Sequence, residues 1–132
     1  MLREETIQRV LKFRDDRDWR QFHTPKDLAL SMTLEASELL EVYQWSGTDL
    51  ECRDKLPKVR EELADVLSYC ILMADVYGLD LDEIMNAKIT QNEAKYPVEK
   101  ARGSAAKYTE LKRRQRQNRQ ADKKGLDQSK TA

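Results

Sequence analysis

Apolar positions along this chain recur at helical intervals. Ile7, Val10, Leu11 and Phe13 or Arg14 fall near one face of a helical repeat and predict a first helix from about Glu5 to Trp19. A break follows at Gln21–His23. Thr24-Pro25 then has the form of an N-cap with proline at the first helical position, and Asp27 suits the positive end of a helix dipole. A second helix should run from there to about Trp45, stopped by Ser46-Gly47. The third starts near Pro57 and continues to Tyr77, where Gly78 provides a C-terminal stop. Its stripe of Val59, Leu63, Val66, Leu67, Cys70, Ile71 and Ala74 is the most apolar in the chain. Asp80-Leu81-Asp82-Glu83 has capping-box form and opens a fourth helix that ends before Pro97. Short connections between these four helices predict an all-α, antiparallel four-helix bundle.

Past Pro97 the periodicity weakens. Arg102-Gly103-Ser104 and Tyr108 still read as an ordered extension, so one domain is expected over residues 1–111 of the 132. Residues 112–132 lack apolar periodicity and read as a basic, disordered tail, with a basic helix formed on a partner as the sharper alternative. Composition supports helices: 36% of the residues are charged, 7% are aromatic, and there are only 4 Gly and 3 Pro. A small domain of such amphipathic helices exposes much of its surface, which makes an oligomer plausible.

Charge changes the picture more. The net charge is zero, yet residues 112–132 carry eight bases against Asp122 and Asp127, leaving 16 bases and 22 acids in the body. An acidic body argues against general nucleic-acid binding by the folded part, although the tail leaves that open. It accepts a polyphosphate only where metal ions screen the carboxylates. Cys52 and Cys70 match no metal-ligand spacing, and Cys70 is expected to be a small buried hydrophobe. The sequence has no apolar signal core at its start and no window approaching a membrane span, so the cytoplasm is the expected location.

The candidate chemistry lies in two acid pairs. Glu35-Ala36-Ser37-Glu38 and Glu62-Leu63-Ala64-Asp65 each put carboxylates at i and i+3, on one face of a helix and among apolar neighbours. Tyr69 extends the second face by one turn. If the helices pack side by side, four carboxylates converge and repel one another, a conflict that Mg²⁺ resolves. His23 is the only imidazole and no Glu-x-x-His occurs, which counts against a di-iron bundle. The plain alternative is a solvated acidic face, since such spacings arise readily among 24 acids.

Glu35-x-x-Glu38, 23 intervening residues and Glu62-x-x-Asp65 resemble the signature of the MazG-like all-α nucleotide pyrophosphatases. Arg17-Asp18-Trp19-Arg20-Gln21-Phe22-His23, Glu41-Val42-Tyr43-Gln44-Trp45 and Lys95-Tyr96-Pro97-Val98, followed by Ala101-Arg102-Gly103-Ser104 and Lys107-Tyr108-Thr109, resemble the dCTP pyrophosphatase subgroup in particular. The similarity covers about residues 6–111.

The resemblance implies hydrolysis between the α- and β-phosphates of a nucleoside triphosphate, most specifically dCTP or a modified dCTP. Glu35, Glu38, Glu62 and Asp65 would then be Mg²⁺ ligands, with one of them or Glu61 as general base. Lys88, Asn92 and Lys95, one face of the fourth helix, would hold the polyphosphate together with Tyr96 and Arg102. Trp19, Phe22 and Trp45 would supply rings for the base, His23 a hydrogen bond, and Tyr69 a wall against a ribose 2′-hydroxyl. Taken singly, each of these lysines reads more readily as solvated charge and each tryptophan as core packing. The bundle would assemble through helix faces into a homodimer or homotetramer. Two further readings remain: a broad-specificity or damaged-nucleotide pyrophosphatase, and a non-catalytic helical interaction protein with a basic tail.

Overall fold

The structure, a computed structural model, describes residues 2–103 and Arg113. The expected tail, Arg113 apart, and the segment Lys107-Tyr108-Thr109 lie outside the described residues. All regular elements among the described residues are helical: α1 (Glu4–Asp15), α2 (Pro25–Glu41), α3 (Leu56–Tyr77), α4 (Leu81–Lys95) and the four-residue α5 (Val98–Ala101), with short 3-10 turns at Arg20–Phe22 and Arg53–Lys55. The chain divides into two compact units, Met1–Ile84 and a second that begins at Met85. α1, α2 and α3 belong to the first.

Helix ends follow local chemistry, and in two places they shorten the predicted elements. α1 stops at Asp15 rather than near Trp19 because Asp18 takes a left-handed backbone (φ 53°). The Trp19 N–H then turns back to the Arg14 carbonyl at 3.1 Å, a closure more often built on glycine. α2 begins as expected: the Thr24 hydroxyl accepts the Asp27 N–H at 3.1 Å and donates to its carboxylate at 2.8 Å, with Pro25 in the first turn. It ends at Glu41, since Tyr43 and Gln44 donate to Leu40 and Glu41 and tighten the chain into successive turns.

α3 is the spine, with α1 and α2 both packed against it. Its end is the predicted one: Gly78 is left-handed (φ 62°) and the Leu79 N–H reaches the Ala74 carbonyl at 2.8 Å. Asp80 caps α4 through the Glu83 N–H at 3.0 Å. The apolar residues removed from water are Leu28, Val42, Cys52, Ile71, Leu72 and Ala74. Cys52, not Cys70, is the fully buried thiol; Cys70 is half-buried because the α3 stripe is only partly covered. Leu63 and Leu67 of that stripe are exposed, as are Leu30 and Leu34 on α2.

Candidate metal and nucleotide site

The helical repeat puts Glu35 and Glu38 on one stripe of α2, and Glu62 and Asp65 on one stripe of α3. Packing of α2 along α3 makes those stripes meet. Carboxylate oxygens of Glu35, Glu62 and Asp65 lie within 4.8 Å of one another. Glu38 stands within hydrogen-bonding reach of Glu62. Glu35 therefore faces Asp65 and Glu62, while Glu38, further along α2, faces Glu62. That register descends α3 as it climbs α2, which makes the pair antiparallel.

The four acids differ in surroundings. Glu62 is 1% exposed, the one tetrad member fully buried. Its Oε1 is ion-paired with the Lys58 ammonium one turn earlier, and its Oε2 has no hydrogen-bond partner among the described residues. Glu38 does not satisfy that oxygen while both groups are ionised, because two carboxylates offer each other no donor. Burial, then the charges of Asp65 and Glu62, push the Glu35 carboxyl above its ordinary range. The Glu38 carboxyl is raised first by the charge of Glu35, then by the neighbouring Glu62 carboxylate. An oxygen-only donor set with an orphaned buried oxygen at its centre fits a hard divalent cation.

Beside Asp65, a cavity of about 430 Å³ opens between α1 and α3. Trp19, His23 and Tyr69 from the expected set line it, together with Phe13, Arg14 and Ser68. Phe13 and Trp19 meet edge to face with centroids 5.7 Å apart, and the Arg17 guanidinium lies 3.6 Å above the Phe13 ring. Burial, and secondarily the positive charge of Arg14, hold the His23 imidazole below its ordinary pKa. His23 is thus neutral at neutral pH, and its buried Nδ1 has no partner among the described residues.

Arg14 was not singled out for a site role from the sequence. It is buried, and its guanidinium bonds Asp15 at 2.7 Å and Asp75 of α3 at 2.6 Å, tying α1 to α3 behind the cavity. Its legible signal was an arginine at i+3 and i+4 from Leu11 and Val10, on the apolar stripe of α1. Phe22 and Trp45, expected beside the base, are 64% and 86% exposed and do not line the cavity. Lys88, Asn92, Lys95, Tyr96 and Arg102 belong to the second unit. There Lys88, Asn92 and Arg102 are exposed, and the Lys95 ammonium lies 5.4 Å from the centre of the Tyr96 ring.

Comparison with known proteins adds the following. The model of the MazG-like family matches residues 30–111. The dCTP pyrophosphatase 1 of Mus musculus is 42% identical over 115 residues, which cover 83% of this chain and 68% of that protein. The Homo sapiens dCTP pyrophosphatase 1 is 40% identical over 114 residues, 81% of this chain and 66% of that protein. The chain thus spans about two thirds of the length of these mammalian relatives. A pyrophosphatase from Archaeoglobus fulgidus, known from a crystal structure, superposes with a TM-score of 0.66 at 41% identity, covering 71% of this chain and 91% of that one.

Proposed function

This chain belongs to the MazG-like family, and from that membership we propose that it is a Mg²⁺-dependent pyrophosphohydrolase converting dCTP or a modified dCTP, with water, to dCMP and pyrophosphate. The observation that carries the reading is the convergence of Glu35, Glu62 and Asp65 around one point beside a ring-lined cavity. Glu35, Glu38, Glu62 and Asp65 hold the metal in this reading. Magnesium, when bound, supplies Lewis-acid polarisation of the phosphate oxygens and lowers the pKa of a coordinated water.

The chain's own groups do the rest. Phe13 and Trp19 present ring surface to the base, and neutral His23 offers one nitrogen as donor and the other as acceptor to its polar edge. Tyr69 bounds the cavity on the α3 side, next to Asp65, where a sugar leading to the phosphates would lie. Asp65 belongs to both the cavity and the cluster, so base and α-phosphate are held on either side of one residue. A tetrad carboxylate or Glu61 accepts the proton of the attacking water. Lys88, Asn92, Lys95, Tyr96 and Arg102 supply the donors for the polyphosphate, whose charge exceeds what the metal screens.

Residues 1–111 form the catalytic domain in this proposal, and 112–132 a basic appendage. The exposed leucines of α2 and α3 are the surfaces through which it forms a homodimer or homotetramer. No described helix is long and apolar enough to cross a membrane; the cytoplasm is the proposed location. The test is pyrophosphate release, with and without Mg²⁺, across dCTP, 5-modified dCTP, dUTP, dATP and CTP. Preferred release from cytosine deoxynucleotides supports the proposal. Equal rates on every base replace it with a broad-specificity enzyme, and no release from any nucleotide overturns it.

A further inference from the structure

Lys58, beside the carboxylate cluster, has a placement that helix stability does not explain. It lies in the first turn of α3, where the helix dipole disfavours positive charge. Its partner Glu62 is four residues later, and lysine preceding glutamate is the weaker order for such a pair. It nevertheless pairs with Oε1 of the fully buried Glu62, while its contact with the exposed Glu61 is looser at 3.3 Å. Its positive charge also acts on Glu35 and Glu38 across on α2. One ammonium thus serves three of the four acids.

We propose that Lys58 is an intrinsic counter-ion of the metal cluster, competing with the divalent cation for Glu62 and thereby setting how tightly metal is held. The inference rests on the metal reading of the tetrad given above. Glu62 Oε1 faces the ammonium, and a cation bound among Glu35, Glu62 and Asp65 draws on the same carboxylate. A metal must therefore displace the ammonium or share Glu62 with it at the cost of repulsion between two cations. Lys58 itself is exposed, and its four-carbon stem allows the ammonium to leave into solvent without moving α3. The lysine keeps Glu62 from standing as a buried, uncompensated charge whenever the metal is withdrawn.

The experiment measures Mg²⁺ and Mn²⁺ binding to the full chain by calorimetry, without nucleotide, for the parent, Lys58→Met and Lys58→Arg. Methionine keeps the apolar stem and removes the charge. Lys58→Met is expected to bind metal on the order of fivefold more tightly, the scale of losing one half-solvated ion pair. Its Tm in chelator falls, and its Mg²⁺-induced rise in Tm exceeds that of the parent; Lys58→Arg stays close to the parent in both. Equal or weaker binding by Lys58→Met, with the parent binding normally, overturns the role of Lys58 alone. Absence of metal binding by the parent overturns the metal reading and this inference with it.

Discussion

Glu35 and His23 are both moved from their ordinary pKa by burial first, in opposite directions, because burial disfavours whichever form carries charge. The consequence for Glu35 is a stability trend with a definite sign. A carboxyl raised in the folded protein holds its proton where the unfolded chain has lost it, so folding is penalised above the raised value and the penalty lifts as pH falls. With metal chelated, Glu35 should therefore contribute a rise in Tm as the pH is lowered toward 4.5, the ordinary glutamate value. Against it stands a loss from His23, whose lowered pKa costs stability below 6.5. Glu35→Gln should remove the rising contribution and leave the loss. Below that range a further loss should set in, since Asp15, lowered chiefly by its hydrogen bond to Arg14, contributes stability that is lost when it protonates. A calorimetric pH series checks both limbs. For His23, the unpartnered Nδ1 predicts a recognition role: His23→Ala should raise KM for dCTP roughly tenfold, the scale of one hydrogen bond to a buried group, with kcat changed much less. An equal loss in kcat would place the imidazole at the phosphates instead.

At the scale of elements, α2 and α3 each carry two kinds of stripe. One is the acid pair that meets across the interface; the other is a row of leucines left in water, with Leu34 63% and Leu67 42% exposed. Exposed leucines one turn apart, Leu30 and Leu34 on α2 and Leu63 and Leu67 on α3, favour burial against another copy. Leu34→Glu combined with Leu67→Glu should shift the particle to a smaller species in light scattering, where the parent is a dimer or tetramer. An unchanged mass would remove this face from the assembly. The sequence announced these helices where a local cap marks them: the side chains of Thr24 and Asp80 and the left-handed backbone of Gly78 mark ends that the structure keeps. It overran at Asp18, because a left-handed aspartate leaves no glycine to read, and past Glu41, because tight turns preserve helix-like apolar spacing. The tetrad was legible because i, i+3 spacing survives any packing of two helices. The cavity was only partly so: Trp19, His23 and Tyr69 converge, while Phe22 and Trp45 have ring character in sequence but stand in solvent. Arg14 escaped notice because one buried arginine on an apolar stripe looks like a helix edge until its partner Asp75, sixty-one residues away, is placed.

Over the whole molecule the governing asymmetry is charge. The first 111 residues hold 22 acids against 16 bases, and residues 112–132 hold eight bases against two acids. The proposed substrate is anionic, so the body alone repels it at long range, and only bound metal and local donors reverse that near the site. The basic segment opposes the repulsion without having to touch the reacting atoms. Its influence should accordingly appear in encounter rather than in chemistry. A chain ending at residue 111 should keep the parent kcat at saturating Mg²⁺ and dCTP. Its kcat/KM should fall a few-fold at low ionic strength, and the difference should vanish by ~0.5 M salt, where screening acts within a few ångströms. A loss of kcat at every salt concentration would instead make the segment part of the catalytic fold. Salt-independent retention of both parameters would mean that its charge serves some partner other than the nucleotide.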